Sequence, residues 1–202
     1  GAVVLYEPTE EDIKNIDSYI KDLDILYVMD NSKEENEKRL PKSKKIKYIF
    51  NHENLGIAAS LNKAADLARE EGIEWLLTMD QDTHFKDDVL KKMKEKVETT
   101  DCKEIGIVTP WHKTRLKIEK PKEKIDYPLD VMTSGNMVNL EIHKKLGGFK
   151  EWLFIDGVDI EYCLNLRKNG YKVMRLDYLE IDHNLGNIFY RKFLWKDLLV
   201  TN

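Results

Sequence analysis

Cysteine is scarce: Cys102 and Cys163 are the only two in 202 residues. Two cannot build a disulfide framework, and a zinc site held by cysteine needs more. A single bridge between them stays open, but two reduced, half-buried thiols in a cytoplasmic chain is the simpler reading. No run of about 18 apolar residues occurs, which excludes a membrane-spanning helix. No secretory leader or lipidation motif is legible. Neither sign of charge dominates. Lys and Arg total 33 against 37 Asp and Glu, a net charge of −4 with pI near 5.8. That balance argues against bulk electrostatic binding to nucleic acid or anionic lipid. Internal repeats and low-complexity stretches are absent as well. So is an initiator Met before Gly1, and the apolar, aromatic segment from Phe189 to Leu199 stops abruptly at Thr201-Asn202. Both ends read as cut, as in a piece excised from a longer protein.

What is present is a globular composition, 42% hydrophobic and 35% charged. A chain of this length makes one domain and buries roughly 70% of its unfolded surface. Short apolar runs alternate with helical patterns. Strands are expected at Val3–Tyr6, Ile25–Met29, Ile46–Phe50, Trp75–Met79, Ile105–Thr109, Met137–Leu140 and Tyr171–Leu176. Helices are expected at Glu10–Ile20, Gly56–Arg69, Asp87–Val97, Glu141–Leu146 and Gly157–Lys168, the last with Ile160, Cys163, Leu164 and Leu166 inward. Continuous apolar strands suit burial on both faces, and their alternation with helices predicts an α/β fold around a mostly parallel sheet. Lys113, Arg115, Lys117, Lys120, Lys122 and Lys124 form a basic run, read as an exposed loop or hairpin.

The chemistry lies where the acids fall. Asp30 follows one strand, and Asp80 and Asp82 follow another. In open parallel sheets, ligands bind beyond the carboxyl ends of the strands. In extended backbone, residues i and i+2 point the same way, so Asp80-Gln81-Asp82 presents two hard oxygen donors on one side. One or two carboxylates, completed by substrate phosphates and water, suffice to hold Mg²⁺ or Mn²⁺. Asn54 precedes Gly56 at a helix start, where a cap or an anion site can form. Asp156, Asp159 and Glu161 cluster at another helix start, either as dipole partners or as a source of a general base. His52, His84, His112 and His143 read as surface or loop residues. His183 follows Asp182 and is either structural or a third metal ligand.

These segments, taken together, resemble glycosyltransferase family 2. The resemblance runs through Leu5-Tyr6-Glu7-Pro8, Met29-Asp30-Asn31-Ser32, Asn54-Leu55-Gly56-Ile57-Ala58 with Leu61-Asn62, and Asp80-Gln81-Asp82. It continues through Ser134-Gly135-Asn136, Gly147-Gly148-Phe149, the stretch from Phe154 to Glu161, Leu166–Tyr171 and His183-Asn184-Leu185-Gly186. It is nearest to the rhamnosyltransferase-like branch. The resemblance implies a GT-A fold: a Rossmann-like sheet with helices on both faces, in a single domain over 1–202. About 1–110 would form a nucleotide-binding half and about 111–202 an acceptor-binding half. It implies inverting transfer of a sugar, rhamnose in that branch, from a dTDP or UDP donor to a hydroxyl of a glycan or lipid-linked glycan.

By the same resemblance, Tyr6 and Glu7 line the nucleotide pocket and Asp30 contacts the base. Asn54 and Gly56 lie along the nucleotide and diphosphate. Asp80 and Gln81 lie beside the donor. Asp82, with Asp80 and His183, holds Mg²⁺ or Mn²⁺. Asp159 is the catalytic base, and Ser134, Gly135, Asn136, Asp156 and Gly157 shape the sugar and acceptor site. Polysaccharide biosynthesis in the cytoplasm, with peripheral contact at the inner membrane face, is the matching expectation. Two other readings stand beside it. A nucleotidyltransferase would carry a Gly-rich basic loop after the first strand, where this chain has Tyr6-Glu7-Pro8-Thr9-Glu10. A noncatalytic nucleotide-sugar-binding domain stays open.

Overall fold

A computed structural model describes residues 1–86, 88–113, 124–182, 188–193 and 196–201. Most of the basic run and all of His183 lie outside the described residues. The elements are β1 (Ala2–Leu5), α1 (Glu10–Asn15), β2 (Leu26–Asp30), β3 (Ile46–Phe50), α2 (Gly56–Glu70), β4 (Trp75–Asp80) and α3 (Val89–Glu98). They continue with β5 (Ile105–Lys113), β6 (Asn136–Asn139), α4 (Leu140–Lys145), α5 (Val158–Lys168), β7 (Lys172–Asp182), β8 (Ile188–Phe193) and β9 (Lys196–Thr201).

One sheet has the order β3-β2-β1-β4-β6-β5-β7, and β8 pairs with β9 apart from it. Among the described residues of the larger sheet only β6 runs antiparallel, between β4 and β5. Side chains alternate faces with the strand period of two. Val3, Leu5, Leu26 and Val28 join one core with Ile13, Ile16 and Tyr19, and with Leu90 and Met93 of α3. Ala2, Tyr27 and Met29 join the other, against Ala58, Leu61, Ala64, Ala65 and Ala68 of α2 and Val158, Tyr162 and Leu166 of α5. Helices therefore cover both faces, as continuous apolar strands require. Among the described residues no helix is long and apolar enough to cross a membrane.

Several local expectations change. The helix expected to Ile20 stops at Asn15 and continues as two 3₁₀ turns, Ile16–Ser18 and Ile20–Asp22. Thr9 and Asp12 start it with a reciprocal capping box, which satisfies two of its orphan N–H groups. On α5, Val158, Tyr162, Cys163 and Leu166 turn inward, while Ile160 and Leu164 are 50% and 58% exposed. The 158-162-166 stripe wins because Tyr162 packs against Phe149, with tilted rings whose centroids lie 4.6 Å apart. Asp159 sits one turn before Cys163 and Tyr162, which draws it towards the buried side. Both thiols are free.

His143 is a further correction, since it is buried rather than a surface residue. Its ring packs on Phe149 at 4.9 Å and Tyr162 at 5.7 Å, and Nδ1 lies 3.4 Å from an Arg69 guanidinium nitrogen. Its position at the end of a short amphipathic helix did not reveal which way it faces. Burial, with the Arg69 charge, lowers its pKa from 6.5 to about 4. Because the folded value is depressed, the unfolded chain takes up a proton first as pH falls below 6.5, and stability drops between 6.5 and 4. Urea unfolding at pH 7.5 and pH 5 should show a loss of about 2 kcal/mol in the native chain that His143→Leu does not share. An equal loss in both proteins would place the acid sensitivity elsewhere.

Candidate active site

Three parallel strands end together. Register pairs Leu5 with Asp30 and Val4 with Asp80, so Tyr6, Asp30 and Asp80 leave the sheet side by side. The winding reverses direction between β1 and β4, and a crevice forms outside the carboxyl ends of strands at such a point. Gln81 joins the two strand ends. Its Oε1 accepts from the Tyr6 N–H at 2.8 Å, and its Nε2 donates to the Tyr6 carbonyl at 3.3 Å. Glu7, at φ +46°, donates its N–H to Ser32 Oγ and accepts from the Lys33 N–H.

The antiparallel β6 explains how a later segment reaches this edge: it starts where β4 ends. Thr78 Oγ1 donates to the Thr133 carbonyl at 2.6 Å, Gly135 N–H to the Thr78 carbonyl at 2.7 Å, and Asp80 N–H to Ser134 Oγ at 3.0 Å. Gly135 has φ +78°, and a Cβ there would lie 2.6 Å from Ile181 Cδ1. Asn136 is buried and donates to the Met132 carbonyl.

The charges of Asp82 and Asp159 both bear on Asp80. Burial raises the Asp80 carboxyl to about 7, with the charges of Asp82 and Asp159 adding to it. Burial also lifts Asp159 above the ordinary carboxylate range; the Ile160 N–H, 2.8 Å from Oδ1, opposes this, and Asp130 and Asp156 reinforce it. A small pocket of about 10 Å³ lies beside Asp159 and is lined in part by Thr78, Thr133, Asn136 and Tyr162. Asp156 is exposed, and Gly157, at φ +78°, begins α5 without a side-chain cap. Among the described residues no group of three or more His, Cys, Asp or Glu forms a ready metal cage.

Asp30 keeps its place at the strand end, but its carboxylate is bonded within the chain. Oδ1 accepts from the Ser32 N–H, and Oδ2 accepts from Asn36 N–H and Nδ2 and, at 2.6 Å, from the Tyr48 hydroxyl. Burial alone would raise its pKa; the hydrogen bonds from Ser32, Tyr48 and Asn36 outweigh that and hold it below the usual value. The start of α2 is likewise engaged. Gly56 N–H donates to Asn54 Oδ1, while Ile57 and Ala58 N–H groups reach the Phe154 carbonyl at 2.8 and 3.5 Å. Those N–H groups are thus taken up by the chain's own acceptors. Gly56, at φ +77°, admits this contact, since a Cβ would stand 2.6 Å from the Phe154 ring and carbonyl oxygen.

The sequence reading passed over Asn31. It is 2% exposed, its Oδ1 accepts from Asn51 and Ser60, and its Nδ2 donates to Asn54 Oδ1 and the Gly56 carbonyl. A signal existed: Ser60 stands between Gly56 and Ala64 on the buried face of α2, where a lone hydroxyl needs a partner.

The sequence profile described as Glycosyl transferase family 2 matches residues 9–158. The dTDP-rhamnosyl transferase RfbF of Shigella flexneri is 26% identical over 207 residues, covering 93% of this chain and 69% of that protein. Among solved structures, GalNAc-T7, crystallised with UDP, GalNAc and Mn²⁺, superposes with a TM-score of 0.68 at 13% identity over 91% of this chain and 43% of that one. TarS of S. aureus superposes with a TM-score of 0.70 at 15% identity over 92% of this chain and 36% of that one. The chain spans less than half the length of these two solved proteins. The fold is GT-A, and with the profile covering most of its length the chain belongs to glycosyltransferase family 2.

Proposed function

We propose that this glycosyltransferase moves a sugar, rhamnose by its likeness to RfbF, from a nucleoside diphosphate to a hydroxyl of a growing cell-surface glycan, with inversion. The observation that carries the reading is the crevice where the winding reverses: Tyr6, Asp30 and Asp80 leave β1, β2 and β4 side by side there, and the charges of Asp82 and Asp159 reach Asp80. Inversion in one displacement needs a base behind the acceptor oxygen and a stabilised leaving group opposite. Asp159 supplies the base, and its raised proton affinity suits it to receive a hydroxyl proton. Residues 1–110 hold the nucleotide: Tyr6 is 46% exposed at the crevice mouth, and Glu7, Asp30, Asn54 and Gly56 fix the loops around it. Residues from 111 onward hold the acceptor, with Ser134–Asn136, Asp156 and Gly157 around Asp159. A lipid-linked acceptor would bring the chain to the inner membrane face.

The donor set fits a hard divalent cation. Asp80 and Asp82 offer carboxylate oxygens two residues apart; Asp80 is raised first by burial and then by the Asp82 charge, and a cation relieves both costs. Mg²⁺ or Mn²⁺ is held by one or two carboxylates when substrate phosphates complete the shell. Such an ion, when bound, neutralises charge on a departing diphosphate. Calorimetric titration with UDP, dTDP and GDP, each with and without Mn²⁺, tests the reading. Binding of at least one that strengthens with Mn²⁺ is expected; undetectable binding of all three overturns it.

A further inference from the structure

Two motifs in the sequence have no role in the chemistry above: Leu61-Asn62 and Gly147-Gly148-Phe149. The structure joins them. Asn62, on α2, accepts from the Phe149 N–H at 2.9 Å through Oδ1. Its Nδ2 donates to the Phe149 carbonyl at 2.9 Å and to Glu151 Oε1 at 2.9 Å. One carboxamide thus holds both main-chain groups of one residue, as a neighbouring strand would. Gly148 makes room for it: at φ +70°, a Cβ there would lie 2.7 Å from Asn62 Oδ1. Five residues further on, the same helix grips the segment again, through the Phe154 carbonyl on the Ile57 N–H at 2.8 Å. Phe154 is held at φ +61° to make that contact, a conformation that costs a non-glycine residue of order 1 kcal/mol and persists only where its surroundings impose it. Between the grips lies the turn Glu151–Leu153, and directly after them come Gly157 and Asp159.

We propose that Asn62 is a positioning residue: with Gly148 it clamps the 149–154 segment to α2 and so fixes where Asp159 stands relative to the crevice at β1 and β4. The inference rests on the role given to Asp159 above. The clamp links the two halves of the site. α2 is already tied to the nucleotide side, because Asn31 bonds to Asn54 and Gly56. A base carried on α5 needs a fixed distance to a donor held by β1 and β4, and a displacement of about 1 Å at a reacting group costs on the order of 10²-fold in rate. Asn62 itself has its carboxamide taken up by the Phe149 backbone and the Glu151 side chain, so it acts through that segment.

The test uses the whole chain, with dTDP-rhamnose as donor and water as acceptor, and reads hydrogen exchange, dTDP affinity with Mn²⁺ and kcat for hydrolysis. In Asn62→Ala, exchange in 149–157 should rise about tenfold or more while α2 keeps its protection. The kcat should fall about 10- to 100-fold with dTDP affinity unchanged within about twofold. Asn62→Asp keeps the acceptor for the Phe149 N–H but loses both donations and faces Glu151, so it should behave similarly. Adding Glu151→Gln to Asn62→Asp returns a donor to the pair with its polarity reversed, and should recover part of the loss. Unchanged exchange in 149–157 in Asn62→Ala, or increased exchange with unaltered kcat, overturns the inference. If the native chain neither binds nor turns over any nucleotide donor, the transferase reading falls and the exchange result alone decides the clamp.

Discussion

Asp159→Asn should lower kcat for sugar transfer by about 10²- to 10⁴-fold, the range lost when a positioned general base is removed, and leave nucleotide affinity intact. The substitution is close to isosteric. Asn Oδ1 can still accept the Ile160 N–H that Asp159 Oδ1 accepts at 2.8 Å, so the helix start has no reason to move. What disappears is the charge and the ability to take a proton. The sign of the side effect is also fixed. Asp159 is one of the two charges that raise Asp80, so its neutralisation eases ionisation of Asp80 and makes cation-assisted nucleotide binding equal or slightly tighter. Single-turnover transfer with dTDP-rhamnose, beside calorimetry with dTDP and Mn²⁺, separates the two. Loss of both activity and binding would make Asp159 a structural residue; unchanged turnover would remove it from the chemistry. In the native chain, the acidic limb of the kcat/KM profile should lie above the ordinary carboxylate range, because burial raises Asp159 in the free chain and kcat/KM reports the free enzyme.

The sheet was largely legible because its strands are buried on both faces, which leaves continuous apolar runs such as Leu26–Met29. The strand-end acids were legible for the same reason, since Asp30 and Asp80 interrupt those runs. Other features were not. The reversal of β6 cannot be seen in a four-residue strand, yet it is what delivers Ser134–Asn136 to the end of β4. The inward stripe of α5 is not legible because Ile160 and Leu164 are as apolar as the residues that are buried; Tyr162 prevails through its packing on Phe149, a contact made 13 positions away in sequence. The engagement of Asp30 by Tyr48 and Asn36 depends on the parallel pairing of β2 with β3, and a turn-forming Asp-Asn-Ser carries no sign of it. Local periodicity specifies which face is buried only when one face is clearly the more apolar.

Asp82→Asn should weaken nucleoside diphosphate binding in Mn²⁺ by about 10²-fold, or about 2.7 kcal/mol, while making the nucleotide-free chain more stable. Both signs follow from the same crowding. With no cation bound, desolvation of the half-buried Asp80, and after it the charges of Asp82 and Asp159, hold its carboxyl at about 7. Removing one of those charges relieves repulsion, a gain of about 1 kcal/mol of the kind common where a functional site is relaxed. Removing it also deletes a hard oxygen donor, and an amide oxygen without charge is a poorer partner for Mg²⁺ or Mn²⁺. Chelation with EDTA should reproduce the binding loss in the native chain and cost the variant little more, since both act on the same ion. Thermal unfolding in EDTA supplies the second arm, with the variant melting above the native chain. A variant that binds less and also melts lower would point to a damaged fold. One that binds dTDP as tightly as the native chain, with the same dependence on Mn²⁺, would place the cation away from Asp82 and leave the leaving diphosphate without the neutralising charge that the proposed displacement requires.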